Sequence, residues 1–173
     1  MSSKLFCMAQ HDEVDRIIAE WQTERPDLDV SPLAILSRIS RLNRHMDRIR
    51  RDVFSRNSLE SWEFDVLVAL RRAGKPYTLS PGALVTQTMV TSGTMTNRID
   101  RMEERSLVTR KPSAEDRRAV LVQLSQSGLA LVDRAFTDLL EIEHSVLDAL
   151  KDSDQPALAS MLRELTRQFE QIT

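Results

Sequence analysis

The chain has 173 residues, enough for a domain with a hydrophobic core, and 41% of them are apolar and 29% charged. Its single cysteine, Cys7, excludes an internal disulfide, and no apolar run approaches the roughly 18 residues of a membrane span. The net charge of −2 hides a basic segment, since residues 31–58 carry seven arginines and two aspartates. These observations predict a soluble cytoplasmic protein and not a membrane protein. Its basic segments either bind a nucleic acid or form solvated helix faces.

The sequence before residue 31 predicts one short helix. Apolar residues recur every three or four positions in "HDEVDRIIAEWQTERPD", and Pro26 ends the pattern. We interpret residues 1–30 as an N-terminal extension that contains this helix. The predicted apolar face carries Val14, Ile17, Ile18 and Trp21.

A longer amphipathic helix is predicted next. Ser31 is expected to be its N-cap and Pro32 its first residue, and apolar residues continue at helical spacing to Val53. A further helix over about 60–73 is expected to stop at Gly74. Its predicted inward residues are Trp62, Val66, Leu67 and Leu70.

Two short helices with a tight break between them follow. Ser80 and Pro81 repeat the N-terminal signal of the long helix, a break is expected at Val90 and Thr91, and a helix over about 92–105 comes next. The pattern then becomes strand-like in "LVTRK" and "AVLVQL", which flank the polar loop "PSAEDRR" and predict a β-hairpin.

Helices over about 126–150 and 153–171 complete the chain, the second with Ser153 as a candidate N-cap. The predicted fold is therefore mainly α with a small β-hairpin. Two short helices followed by a hairpin are typical of a winged helix-turn-helix, in which the second short helix enters the major groove of DNA.

The helix over 92–105 has two faces with different chemistry. Met95, Ile99 and Met102 share the predicted inward face. Hydroxyl groups near a helix N-terminus can bind phosphates, and asparagine and arginine can read base edges, but serine and threonine could equally cap a surface helix. The candidate DNA-binding residues on the outward face are Ser92, Thr94, Thr96, Asn97 and Arg101.

The hairpin loop adds further candidates for DNA binding. Arg117 or Arg118 at the tip could enter a minor groove, and Asp116 could orient a neighbouring arginine through a charge-assisted hydrogen bond.

Two motifs resemble those of the MarR family of transcriptional regulators. Asp116-x-Arg118 followed by Val122-x-Leu124-Ser125 resembles the family's wing signature, which usually ends in threonine, and "SGTMTNRIDRMEERSLVTR" resembles its recognition helix and first wing strand. The resemblance implies a winged helix-turn-helix over 57–125. It also implies a homodimer, assembled through helices of 31–56 and 126–173, that binds a pseudo-palindromic DNA operator.

Arg98 does not fit the outward face of the predicted recognition helix. It lies beside Ile99 and three residues after Met95, so its side chain is expected to lean towards the core. A half-buried arginine needs a carboxylate partner, and Asp65 is the candidate. The simplest interpretation is an ion pair between two helices.

A more specific interpretation comes from the family. Trp21, Asp65, Arg98 and Arg110 resemble the ligand set of its urate-responsive branch, the HucR- and PecS-like proteins. That resemblance implies a repressor whose small anionic effector, urate or a related purine, competes for Arg98 and releases the protein from DNA. A purely structural cluster of the same residues is the alternative.

Other functions are less compatible with the sequence. Three histidines lie in separate predicted helices, and no catalytic pairing, metal-ligand cluster or phosphate-binding loop is present, so neither an enzyme nor a metal or cofactor protein is expected. A regulator that responds to another carboxylate, to a phenolic ligand or to oxidation at Cys7 remains an alternative, as does a helical dimer that binds no DNA.

Overall fold

A computed structural model describes residues 11–112 and 120–170 of the chain. The described residues form seven helices and a three-stranded antiparallel sheet, which confirms the mainly α class and the winged helix-turn-helix. The chain divides into two compact units, residues 1–49 and 50–173, and the boundary falls within the second helix. In chain order the elements are α1 (Glu13–Glu24), α2 (Leu33–Arg56), α3 (Ser61–Arg72), β1 (Thr78–Leu79), α4 (Pro81–Thr88), α5 (Ser92–Glu104), β2 (Val108–Pro112), β3 (Val120–Leu124), α6 (Gln126–Leu147) and α7 (Gln155–Glu170).

In the first unit, α1 begins with a capping box. The Asp12 carboxylate accepts hydrogen bonds from the backbone N–H groups of Val14 and Asp15, and the Asp15 carboxylate accepts one from the Asp12 N–H group. Arg38 of α2 binds both carboxylates, at 2.8 Å and 2.7 Å. The start of α1 is therefore held by its own caps and by an arginine of the next helix.

The long helix α2 begins one residue later than the sequence predicts, at Leu33. Ser31 and Pro32 lie in a turn, where the Asp29 carboxylate accepts the Ser31 N–H group at 2.9 Å. The predicted cap at Ser31 is therefore wrong, because a carboxylate two residues earlier stabilises a turn at this point.

In the second unit, α3 is the central helix. Val66, Leu67 and Leu70 are fully buried, and the ring of Phe64 stacks on Phe54 of α2 at 4.2 Å. Trp62, predicted to point inward, is only partly buried because it lies in the first turn of the helix.

The predicted break between the two short helices is confirmed. The Ser80 hydroxyl caps α4 and the Thr91 hydroxyl caps α5, each accepting a backbone N–H group at 3.2 Å. Between them Met89 has a positive φ of 52°, which turns the chain sharply and ends α4. Two hydroxyl caps and one left-handed residue therefore produce the helix-turn-helix.

The predicted hairpin is also present, with Val108 opposite Leu124 and Pro112 opposite Val120. Its connecting loop, residues 113–119, lies outside the described residues. A third strand, β1, pairs with β3 and makes the strand order β1-β3-β2. The sequence does not reveal β1, because two residues are too few to show a period.

The last two helices follow the predicted order. Ser125 caps α6. The predicted cap of α7 at Ser153 is wrong, because the Ser153 hydroxyl donates to the Asp154 carboxylate and the helix begins at Gln155. None of the described helices is both long and apolar enough to cross a membrane.

Candidate nucleic-acid interface and effector site

Helix α5 has a buried face and an exposed face, as predicted. Met95, Ile99 and Met102 are at most 1% exposed, whereas Ser92, Thr94, Thr96 and Asn97 are exposed. The two threonine hydroxyls have partners within or next to the helix, since Thr94 bonds the Thr91 hydroxyl and Thr96 donates to the Ser92 carbonyl.

Two of these polar groups are available to an external partner. Among the described residues, neither the Ser92 hydroxyl nor the Asn97 side-chain amide has a hydrogen-bond partner. They lie in the first two turns of α5, beside free backbone N–H groups that favour an anion. This end of the helix can therefore donate to phosphates and base edges.

The arginines of α5 are bound to the first turn of α3. The guanidinium groups of Arg98 and Arg101 lie over the ring of Trp62, at 5.4 Å and 4.8 Å from its centroid. Arg101 also donates to Glu60 Oε1 at 3.0 Å, and the indole N–H of Trp62 donates to Glu60 Oε2 at 2.5 Å. Arg101 therefore remains exposed, but in a defined orientation.

The predicted ion pair between Asp65 and Arg98 is not formed. Both side chains are described, and no ion pair within 4 Å joins them, because Arg98 is directed onto Trp62 instead. Arg98 is nevertheless half-buried, as predicted, and its positive charge acts on Asp65 through space.

A second ion pair fixes the end of α5 to α3. Both oxygens of the buried Glu63 carboxylate accept from Arg105, at 2.6 Å and 2.5 Å, and Arg105 also donates to the Ser58 carbonyl at 2.7 Å. Glu63 accepts the Glu60 N–H group as well, at 2.9 Å. The contact between α3 and α5 thus contains a buried charge that is fully hydrogen-bonded.

Arg110 joins the wing to α5. Its guanidinium is ion-paired with Asp100 and Glu103, and its backbone N–H group donates to Glu103 at 2.9 Å. The hydrogen bonds to Asp100 and Glu103 raise the pKa of Arg110, against the effect of partial burial. Much of the basic stretch therefore neutralises the protein's own carboxylates. Helix α5 and strand β2 do not present a continuous row of unpaired arginines to phosphates.

Asp65 lies at a groove in the second unit. The groove has a volume of about 730 Å³, and its lining includes Arg50, Phe64, Arg72 and Phe136. The protein atoms that crowd Asp65 raise its pKa, while the positive charges of Arg50 and Arg98 oppose that shift, although the side chain still reaches solvent on the open side. An aromatic floor with nearby guanidiniums can hold a planar anion.

Other predicted site residues stay outside this geometry. Trp21 lies on α1 in the first unit and is 48% exposed, so its membership of a ligand set stays a prediction. Asp116, Arg117 and Arg118 fall in 113–119, and Cys7 in 1–10, both outside the described residues.

Sequence reasoning missed the partners of the arginines. Glu60, Trp62, Glu63 and Glu103 each hold a basic side chain of α5 or β2. A signal existed on α5 itself, because Arg98, Arg101 and Arg105 are three and four residues apart and must share one face. The positions of their partners depend on how α3 packs against α5.

Comparison with known proteins agrees with this fold. The model of the MarR family matches residues 58–119, which span α3 to the wing. The HTH-type transcriptional regulator PecS of Dickeya dadantii is 38% identical over 90% of this chain and 93% of its own length. The chain therefore belongs to the MarR family, whose members are transcriptional regulators and not enzymes.

Two solved structures extend the comparison. A cysteine-to-serine mutant of MarR from Escherichia coli, complexed with operator DNA, is 25% identical, with a TM-score of 0.63 and coverage of 80% of this chain and 99% of that chain. BpsR of Bordetella bronchiseptica, whose DNA binding is regulated by 6-hydroxynicotinic acid, is 27% identical, with a TM-score of 0.57 and coverage of 74% and 92%.

Proposed function

We propose that this regulator binds a double-stranded DNA operator by placing α5 in the major groove. The observation that carries the proposal is the division of α5 into a buried methionine–isoleucine face and an exposed face on which Ser92 and Asn97 have no described partner. Arg101 borders this face, and the loop with Asp116, Arg117 and Arg118 would follow the neighbouring minor groove.

The proposal is tested with a DNA duplex that the wild-type protein selects from a random-sequence library, called the selected duplex below. Asn97→Ala should weaken binding to it by about 1–3 kcal/mol, because one base contact is lost. Gln168→Ala, on the exposed side of α7, is the matched control and should leave affinity unchanged.

Salt dependence and a wing variant complete this test. Several phosphate contacts should give a steep log–log decrease of affinity with salt, about 0.9 per contact. Arg118→Ala should reduce affinity without loss of folding. If the library yields no enriched sequence, or if the salt slope is flat, the DNA-binding proposal is wrong.

The active species is proposed to be a homodimer. Helix α2 carries Ile35, Leu36 and Leu42, and each of these side chains is more than half exposed. Grouped apolar side chains of this kind are unusual on a protein surface that faces water. Helix α7 exposes an apolar stripe of its own, formed by Leu158, Met161, Leu162 and Leu165. Two copies related by a two-fold axis would bury such faces and present two recognition helices to a pseudo-palindromic operator.

The effector is proposed to be a small planar anion, with urate or a related purine as the first candidate. Arg50 and the exposed edge of Asp65 meet at the groove, and Arg98 acts on Asp65 from α5. An anion that attracts Arg98 away from Trp62 would move a residue of the recognition helix itself. It lowers DNA affinity only if it binds the DNA-free conformation more tightly.

A ligand panel tests this effector. Urate, xanthine, hypoxanthine, 6-hydroxynicotinate and a phenol are titrated against the complex with the selected duplex, with thermal shift as the independent measure of binding. Urate or a purine should raise the melting temperature and release DNA. Response to the phenol or to 6-hydroxynicotinate alone would replace the purine with that ligand class, and release by peroxide that requires Cys7 would favour oxidation.

Two variants separate binding from coupling. Asp65→Asn should still bind the effector but show a smaller loss of DNA affinity, because the neutral amide no longer attracts Arg98 or repels an anion. Arg110→Ala would weaken effector binding by about 1.5–3 kcal/mol if Arg110 contacts the ligand. Since Asp100 and Glu103 already pair with Arg110, we expect Arg110→Ala instead to reduce the affinity for DNA when no effector is present.

A further inference from the structure

Two arginines of the recognition helix α5 and its C-cap residue, Arg105, form one stripe that meets the first turn of α3. Arg98, Arg101 and Arg105 lie three and four residues apart, so their side chains leave α5 on the same side. Arg105 has a buried partner, Glu63, whereas Arg98 lies over the ring of Trp62 and has no ion-pair partner within 4 Å among the described residues. Arg101 differs from both, because its carboxylate partner, Glu60, is exposed and its guanidinium also lies over the ring of Trp62.

The two partners of Arg101 are also bound to each other. The indole N–H group of Trp62 donates to one oxygen of Glu60, and the other oxygen accepts from Nη2 of Arg101. The guanidinium lies 4.8 Å from the indole centroid, which closes a triangle of three contacts. The hydrogen bond from Trp62 and the positive charge of Arg101 lower the pKa of Glu60, so both contacts favour its ionised form.

This triangle restricts a side chain that is otherwise free to move. An unrestrained arginine on a DNA-binding helix contacts whichever phosphate is near, on any sequence. Here Nε and Nη1 of Arg101 have no described partner and remain free to donate, while the carboxylate of Glu60 competes with phosphates for Nη2. A phosphate contact therefore requires Arg101 to leave Glu60, whereas a contact made in the restrained orientation does not.

We propose that Glu60 and Trp62 are positioning residues that hold Arg101 for sequence-specific contact and lower the affinity of the protein for non-operator DNA. This proposal rests on the proposed binding of DNA through α5. Its distinguishing consequence is a change in the ratio of the two affinities, which a purely structural role in the contact between α3 and α5 would not produce.

The test measures affinities for the selected duplex and for a scrambled duplex of equal length and composition, at several salt concentrations. Glu60→Gln should raise affinity for the scrambled duplex by about 3–10-fold near 0.1 M salt and steepen its log–log salt slope by about 0.9, since Arg101 gains one phosphate contact. Affinity for the selected duplex should change less, so the ratio falls. Trp62→Leu should weaken binding to the selected duplex with little effect on the scrambled one.

Glu104→Gln is the matched control, because it makes the same charge change on an exposed position of α5 that has no described partner. It should alter both affinities by one common factor, and thermal unfolding should show that every variant is folded. Arg101→Ala separates the two proposals. If it leaves affinity for the selected duplex unchanged, the contact and its positioning are both wrong. If it weakens binding while Glu60→Gln behaves like Glu104→Gln, the contact stands and the positioning role is overturned.

Discussion

The side chain of Glu63 is 2% exposed, yet it is ion-paired with Arg105 where α3 meets the end of α5. Both oxygens of its carboxylate accept hydrogen bonds from Arg105, and one of them also accepts the N–H group of Glu60. The carboxylate is therefore hydrogen-bonded on several sides. By contrast, the pair between Arg101 and Glu60 has both side chains more than half exposed. Buried and exposed ion pairs of the same residue types should therefore contribute very differently to stability.

Replacing Arg105 with alanine should destabilise the protein by about 2–3 kcal/mol, because the buried Glu63 carboxylate loses its cation. Arg101→Ala is the control on the same helix, and it should lower stability by less than about 1 kcal/mol. Urea unfolding of both variants measures the two values. Equal losses would show that the burial of Glu63 has no energetic consequence.

The cap of α1 depends on pH through Asp12. Hydrogen bonds from Arg38 lower the pKa of Asp12 from 3.8 to about 2. Because the folded pKa is the lower one, the stabilisation by Asp12 is complete above about pH 4 and is lost as pH falls towards 2. Asp12→Asn keeps a capping oxygen but removes the titratable group. The difference in free energy of unfolding between the wild type and this variant should therefore decrease from about pH 4 to about pH 2 and stay constant above about pH 4. Trp21 fluorescence follows α1 when it is measured in a Trp62→Phe background, since Trp62 also emits. A difference that does not vary with pH would contradict the assignment.

At the scale of elements, α6 is packed against the connection between α5 and β2. A Cβ at Gly128 would lie 2.0 Å from the carbonyl oxygen of Leu107, and Ser125 and Ser127 donate to carbonyls of the same connection. The first turn of α6 therefore touches backbone directly. This close approach places α6 against the base of the wing.

Gly128→Ala should be strongly destabilising, by about 3 kcal/mol or more, since backbone must move to relieve the overlap. Gly93→Ala on α5 is the matched substitution, because nothing lies within 4 Å of its added Cβ. It should be neutral or stabilise by up to about 1 kcal/mol through helix propensity. Thermal unfolding compares the melting temperatures of the two variants. Similar melting temperatures would mean that the contact at Gly128 is easily relaxed.

At the scale of the whole molecule, the exposed apolar stripe of α7 concerns assembly. Leu162→Glu places a charge within that stripe and should convert the proposed dimer to a monomer, because an unpaired charge in an apolar interface is costly. Binding to the selected duplex should weaken at the same time. Ser160→Glu adds the same charge on the opposite face of the same helix and should leave the dimer intact. Light scattering at micromolar concentration measures both, and a monomeric wild-type protein would exclude the homodimer.

The sequence by itself determined what depends on neighbouring residues. Helical period, the Ser80-Pro81 start, the break after α4 and the alternating strands of the wing all follow from local rules, and these were predicted correctly. The inward position of Met95, Ile99 and Met102 follows from the same period. The caps at Ser31 and Ser153 were wrong, because the Asp29 carboxylate accepts the Ser31 N–H group within a turn and the Ser153 hydroxyl donates to the Asp154 carboxylate.

Only the tertiary structure decided the partners of the charges. Arg98 and Asp65 are 33 positions apart, and whether they meet depends on how α3 crosses α5, which spacing does not encode. The helices cross so that Trp62 lies under Arg98 and Arg101, and Glu63 lies under Arg105. Strand β1 was hidden for the same reason, since its two residues become a strand only by pairing with β3. Local patterns fix the period of each element, whereas long-range packing selects which charges become neighbours.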